Sequence, residues 1–323
     1  MSLECNNPVI SKDALKIAAL RKRAEFMQKT RAFFLERSIL EVDTPALCQF
    51  PSIGCSIEVM EAIVSQDIND RRYLHPSPEF GMKRLLALGI GDIYQLSHVF
   101  RRSEYGPMHN PEFSMCEWYR VGWEFAPFIE EVIEYVELFI GSKKRQYYTY
   151  EEAFLKYLHI SSQKSSLHEL CMVAKARGCS STLTLDEVLD FLYSELEKEL
   201  PSDKITVIVD FPAPKAALSE IYTTSEGFLV AKRFEIFYRG VELANGYKEL
   251  TDPVEQEKRL EEESAHYLQL HNVDLPVDTL FLEALYRGMP PSCGVAVGFD
   301  RLVMLGSNVK NILCVLPWSW EEA

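Results

Sequence analysis

Arg101, Phe113, Glu117 and Tyr119 lie within one short stretch of the chain, and each residue type suits a different part of one reaction. A triphosphate needs a fixed cation, and an arginine at a strand end supplies a planar fork of donors. An adenine needs a flat apolar partner, which Phe113 offers. An amino acid needs carboxylates and hydroxyls, and Glu117 and Tyr119, two residues apart, share one face of a strand. Further on, Glu242 and Glu249 flank Asn245–Gly246. Two such hard oxygen ligands suit magnesium and its phosphates if the chain bends at Gly246. The same Asn-Gly pair also suits a hairpin with exposed acids. Near the C-terminus the stretch from Gly294 to Arg301 has small residues that let a ligand approach the backbone, followed by a second arginine.

The elements that carry these residues follow from patterning. Ile93–Arg101 and Phe113–Val121 read as two antiparallel strands, with Gly106–Pro107 marking the turn between them. Lys12 to Arg37 reads as a long basic helix on a stripe of Ile17, Leu20, Ala24, Met27, Phe34 and Leu35, with Ser11 as its cap. A short strand at Leu40–Thr44 ends at Pro45. Ser56–Met60 and Arg72–Leu74 are further strands, and Pro78 opens a helix whose first turn favours the acid Glu79. Phe125 to Ile140 is an amphipathic helix, and Leu185–Leu200 is another, capped by Thr184 with Glu187 three residues on. Strands return at Ile205–Val209 and Leu229–Tyr238. Asp252 to His271 is a charged helix, and a last helix begins near Asp300.

Composition narrows the field. The 323 residues are 47% apolar and 25% charged, as in soluble globular proteins. No apolar run approaches the roughly 20 residues that span a bilayer, and Met1–Ser11 lacks the pattern of a signal peptide. The eight cysteines show neither a Cys-x-x-Cys pair nor zinc spacing, which implies reduced thiols in a cytoplasmic protein. A net charge of −14 opposes a large nucleic-acid footprint and suits a basic partner protein or a cationic substrate.

The run Phe100–Arg101–Arg102–Ser103–Glu104 to Tyr119 resembles motif 2 of class II aminoacyl-tRNA synthetases, the lysyl branch in particular. The helix, strand and proline at residues 12–45 resemble motif 1, which builds the homodimer in that superfamily. Gly-Phe-Asp-Arg-Leu-Val-Met at 298–304 resembles motif 3. The length, and only about ten residues before the first helix, are similar to the elongation factor P–lysine ligases. These are lysyl-synthetase-like catalytic domains without the anticodon-binding barrel. The resemblance implies an α/β (α+β) fold, a mainly antiparallel sheet flanked by helices. It implies one catalytic domain over 1–323, with a helical insertion at about 142–204 that carries no chemistry.

It implies further that a lysine, typically (R)-β-lysine, is activated by ATP with Mg2+ as an adenylate and moved to a lysine side chain of elongation factor P, with no tRNA or membrane partner. By motif, Arg101 and Arg301 are catalytic. Arg101, Arg102, Ser103, His109, Asn110, Phe113, Glu242, Leu243, Gly298 and Arg301 contact ATP. Ser77, Glu79, Glu117, Tyr119, Asn245, Glu249 and Ala296 form the lysine pocket, and Glu242 and Glu249 lie near magnesium. The family commonly has Phe-Arg-Asn-Glu-Glu in motif 2, so either Ser103 replaces the first glutamate or a loop shift brings in Glu104. An asparagine-synthetase-like ligase fits an acid-lined pocket poorly. A non-catalytic paralogue fits intact Arg101, Arg301, Glu242 and Glu249 poorly.

Overall fold

The computed structural model describes residues 12–323 apart from 53, 55, 56, 68 and 69. Ser11 and Ser56, expected as a helix cap and a strand start, lie outside the described residues. Helix α1 (Lys12–Glu36) leads into β1 (Leu40–Glu41), and β2 (Leu47–Cys48), β3 (Met60–Ile63) and β4 (Arg71–Leu74) form a small antiparallel sheet. Then come α2 (Glu79–Ala87), the motif 2 strands β5 (Ile93–Phe100) and β6 (Glu112–Val121), and α3 (Phe125–Ile140). Strand β7 (Lys144–Thr149), α4 (Tyr150–Ala153), α5 (Leu167–Ala176) and α6 (Leu185–Glu199) fill the expected insertion. Strands β8 (Lys204–Pro212), β9 (Ile221–Thr223), β10 (Leu229–Tyr238) and β11 (Val241–Lys248) follow. Helices α7 (Pro253–His271) and α8 (Thr279–Gly288), strand β12 (Ser292–Gly298) and α9 (Phe299–Gly306) complete the order.

The large sheet runs β1-β5-β6-β12-β11-β10-β8-β7, with β9 also on β10. Only its edge pairs, β1 with β5 and β7 with β8, are parallel. Among the described residues no helix is long and apolar enough to cross a membrane.

One face of the sheet is a dry core. Cys116, Trp118, Phe234, Ile236, Val295 and Val297 point to it, because strand side chains alternate, and α1, α3 and α9 cover it. Phe34 of α1 stacks on Tyr94 at 4.0 Å. The buried stripe of α1 is Arg23, Phe26, Thr30, Phe33 and Phe34, while Ile17 and Leu35 are 51% and 78% exposed. The helix is thus rotated from the stripe its apolar residues suggest, and a charged residue takes a core position.

The other face is covered in two separate places. Phe80, Met82, Leu86 and Phe281 of α2 and α8 pack on Ile93 and Tyr119. Phe154, Leu192 and Leu196 of the insertion pack on Ile208 and Phe237. The insertion is therefore not wholly helical, since it adds edge strand β7, and it shares a sheet face with the site. Thr184 and Glu187 make the capping box expected at α6. Between the two patches the sheet face is open.

Arg23 ties three segments together in the dry core. It pairs with Asp300 at the start of α9 and donates to Ser114 Oγ of β6 at 2.6 Å. Asp300 also accepts from the Ser114 amide at 2.8 Å. Removing one partner strands a buried charge, so Arg23→Met is expected to cost about 3–5 kcal/mol in a denaturant titration. The double variant Arg23→Met/Asp300→Asn should cost clearly less than twice that, which a double-mutant cycle checks.

Candidate active site

Strand register assembles the site. Glu235, Asn245, Ala296, Glu117 and Gln95 lie side by side on β10, β11, β12, β6 and β5. A second row sets Arg233, Tyr247, Gly294 and Tyr119 across four of those strands. Apart from Gln95, which accepts from Thr44, both rows line the open gap, a cavity of about 400 Å³.

Glu242 reaches the same face through a β-bulge. Ile236 pairs with Ala244 but Phe237 pairs with Glu242, so Leu243 is an extra residue. That insertion reverses the alternation and puts Glu242 on the side of Asn245, Tyr247 and Glu249. The expected bend at Gly246 is not found, nor is an Asn-Gly hairpin: both residues lie inside β11. Gly246 is instead a close-approach position, where a Cβ would come within 2.5 Å of the Phe234 ring. At Gly294 a Cβ would lie 2.2 Å from Glu249 Oε1 and 2.3 Å from the Tyr119 ring, so glycine is needed for the pocket floor.

The deep end is acidic. Ser77 donates to Glu117 Oε1 at 2.5 Å, and the Glu79 amide donates to Ser77 Oγ at 3.0 Å. Lys83, with a fully buried side chain, sits 2.6 Å from both Glu79 Oε1 and Glu249 Oε2. Its contact with Glu249 is a buried ion pair. Tyr119 Oη lies 3.5 Å from Glu117 Oε2. Burial, then repulsion from Glu79, pushes the Glu117 carboxyl up to about 8, against Ser77, Lys83 and Arg101. Asn245 Oδ1 and Arg101 Nε are buried without a hydrogen-bond partner. Unpaired buried polar atoms are costly, and both line the cavity, which marks it as built to receive polar groups.

The mouth is cationic. Arg101 lies 5.2 Å over the Phe113 ring and 3.6 Å from Glu104. Arg301 donates to the Glu242 carbonyl at 2.9 Å and contacts His109 Nε2 at 2.8 Å. Burial and Arg301 hold His109 below the usual imidazole range, so Nε2 is an acceptor for the guanidinium. Asn110 lines the wall with both ends of its amide engaged, by the Glu112 carbonyl at 2.7 Å and the Trp320 amide at 3.2 Å. Leu243 and Gly298 also line the cavity.

Arg102 and Ser103 do not. Ser103 has a φ of +65°, which turns the chain there. Its hydroxyl points outward to Glu58 at 3.3 Å, with Arg102 4.0 Å from the same carboxylate. Glu104 is the acid that faces the cavity. Glu249 does not fit a magnesium ligand, because the Lys83 ammonium already occupies its side. Among the described residues no group of three or more His, Cys, Asp or Glu is disposed to hold a metal by itself. Glu242, partly exposed and 3.6 Å from Arg301, fits a magnesium ion that takes most of its ligands from phosphates and water.

Lys83, Arg233, Glu235 and Tyr247 escaped the sequence reading. Polar Arg233 and Glu235 alternate with Phe234 and Ile236 in an apolar strand, which was a usable sign. The insertion also reaches the site, since Tyr193 of α6 donates to Glu235 at 2.7 Å.

A bulged, mostly antiparallel sheet with an arginine at the end of β5, an arginine on α9 and acids between them defines a class II synthetase catalytic unit. Residues 10–321 match the sequence model of class II tRNA synthetases (D, K and N), and the chain belongs to that family. Within it, the chain is 38% identical over 313 residues to an elongation factor P–(R)-β-lysine ligase of Haemophilus ducreyi, covering 95% of each chain. It is 38% identical to that of Proteus mirabilis, over 94% of this chain and 95% of the other. It is 37% identical to that of Vibrio vulnificus, over 93% and 95%.

The raised Glu117 carboxyl has a stability consequence. Its folded value of about 8 lies above its ordinary 4.5, so its contribution is favourable below 4.5 and is lost as pH rises through 8. Glu117→Gln is therefore expected to melt higher than wild type at pH 8.5, with the gap closing by pH 5, in paired thermal denaturation curves.

Proposed function

We propose that this protein activates a lysine with ATP as an aminoacyl-adenylate and transfers it to a lysine side chain of elongation factor P. The observation that carries the reading is the polarity of one cavity: three carboxylates, Glu79, Glu117 and Glu249, at its deep end and Arg101 and Arg301 at its mouth. A diamino acid places its ammonium groups against the acids and its carboxylate toward Arg101. The names of the relatives support elongation factor P as acceptor and (R)-β-lysine as the amino acid.

In the first half-reaction the amino-acid carboxylate attacks the α-phosphate and pyrophosphate leaves. Arg101 neutralises charge developing on the α-phosphate, Arg301 holds the far phosphates, Phe113 stacks on adenine, and Gly298 lets the adenosine sit close to β12. Glu104, beside Arg101, takes the motif 2 acid position. Glu242 would hold Mg2+, whose charge offsets that of the phosphates. In the second half-reaction the amine of the acceptor lysine attacks the adenylate carbonyl and AMP leaves. The enzyme acts in the cytoplasm as a homodimer. Exposed Ile17, Leu35, Leu40 and Leu47 on and beside α1 supply the apolar contact with a second copy.

A lost cation at a charge-stabilising position costs about 2.7–4 kcal/mol of barrier. Arg101→Ala and Arg301→Ala are each expected to cut lysine-dependent ATP–pyrophosphate exchange by roughly a hundredfold or more. Elongation factor P incubated with the wild type, ATP and β-lysine should gain the mass of one lysyl group. Wild-type exchange that ignores both α- and β-lysine would sink the reading, and equal charging of tRNA would sink the acceptor.

Ala296 stands between Asn245 and Glu117 in the cross-strand row, where one methyl shapes the pocket floor. Ala296→Gly is expected to shift the ratio of kcat/KM for β- over α-lysine toward the α isomer, by roughly 10- to 200-fold at most. An unchanged ratio would make the methyl a packing group only.

A further inference from the structure

Lys83 has no surface in the cavity, yet it governs two of the three carboxylates at its deep end. It lies on α2, one turn beyond Glu79, with a side chain that is 0% exposed. Glu79 comes from the same helix, while Glu249 comes from the end of β11 across the fold. The other groups around the trio are Glu117 and Tyr119 of β6, Tyr247 and Lys248 of β11, Ser77, Arg101 and the Phe281 ring of α8.

A buried ammonium is costly to desolvate and survives only when paired on more than one side. Here it meets one oxygen of each carboxylate, Glu79 Oε1 and Glu249 Oε2. That orients both side chains as a unit, and Glu249 Oε1 lies over Gly294 on the pocket floor, where a Cβ would meet it at 2.2 Å. The charges also suit a cationic ligand: the buried ammonium offsets one carboxylate of the trio's surroundings, and a substrate ammonium favours the ionised form of the raised Glu117 carboxyl.

We propose that Lys83 is a positioning residue for the amino-acid pocket, holding Glu79 and Glu249 in place for the ammonium groups of a diamino substrate. The proposal rests on the lysine-activating reading above. Without the ammonium, the two carboxylates face each other with like charge and nothing between them. They separate, and the acceptors aimed at the substrate move with them. ATP contacts, at the other end of the cavity, stay in place.

The test is ATP–pyrophosphate exchange with α- and β-lysine in wild type, Lys83→Met, and Lys83→Met/Glu249→Gln, each with its folded fraction checked by thermal melting. Lys83→Met is expected to raise KM for the better lysine isomer by about tenfold or more while KM for ATP stays within about twofold, the mark of lost substrate binding. In the double variant the like-charge repulsion is gone and the introduced amide can donate to Glu79. Its KM for lysine should therefore fall at least about threefold below that of Lys83→Met, against simple additivity. If Lys83→Met does not fold, the proposal still requires the double variant to fold and to keep a measurable KM for lysine. A KM for lysine unchanged in Lys83→Met, or a double variant no better than the single, overturns the proposal. Wild type that ignores both isomers overturns the lysine-activating reading itself, a separate result.

Discussion

A buried arginine on the first helix holds the catalytic elements together. Arg23 projects from α1 into the dry core and binds both Asp300 and Ser114. Asp300 is the residue before Arg301, and Ser114 is the residue after Phe113. One charged contact therefore fixes β6 and α9 against each other one residue away from the groups that face the cavity. A guanidinium suits this role because its planar fork reaches a carboxylate and a hydroxyl together. It also couples α1, the proposed dimer helix, to the strand that carries Phe113 and the helix that carries Arg301, without itself lining the cavity.

The second constraint is register. In a sheet a slip of one residue sends a side chain to the opposite face. Glu117, Ala296, Asn245 and Glu235 face the cavity because β6, β12, β11 and β10 pair in one phase. Glu242 would belong to the dry core in a regular β11, opposite α3. The single extra residue at Leu243 moves the carboxylate to the cavity, while Leu243 itself stays buried. The Glu242 carbonyl then accepts from Arg301, so the same bulge positions the arginine of α9.

These two devices mark where sequence reasoning succeeds and where it stops. The two strands of motif 2, α3, α6 with its cap and β10 were all legible, because alternation, helical period and capping chemistry are local. Arg101 and Glu117 stood out by residue type on a strand pattern and both line the cavity, whereas Glu249, read from its chemistry as a magnesium ligand, pairs with Lys83 instead. The bulge was not, since nothing in Val-Glu-Leu-Ala-Asn distinguishes a strand with an extra residue from one that bends at the following glycine. Lys83 was passed over, although Glu79 four residues earlier on a helix is a usable sign, and its second partner, 166 positions later in the numbering, depends on the whole fold. Ser103 and Glu104 could be separated only by the left-handed backbone at Ser103.

The cavity is built for a ligand that supplies cations. Burial and mutual repulsion push Glu117 up to about 8, raise Glu249, and raise Glu235 and Glu197 on the insertion side. Each raised carboxyl is destabilising when ionised in the folded chain, so at neutral pH the empty site works against stability. Such an arrangement persists only when the rest of the fold is firm enough to hold it, here a sheet pinned on its far side by Trp118, Phe234 and Val295. In the proposed reaction a substrate ammonium would relieve the repulsion at the deep end, and the same ligand's carboxylate would draw on Arg101 at the mouth. The gap between α2 and the insertion thus remains polar and open because its acids and arginines lack sufficient partners within the chain. In the proposed reaction, a diamino acid and a nucleotide would supply the missing partners.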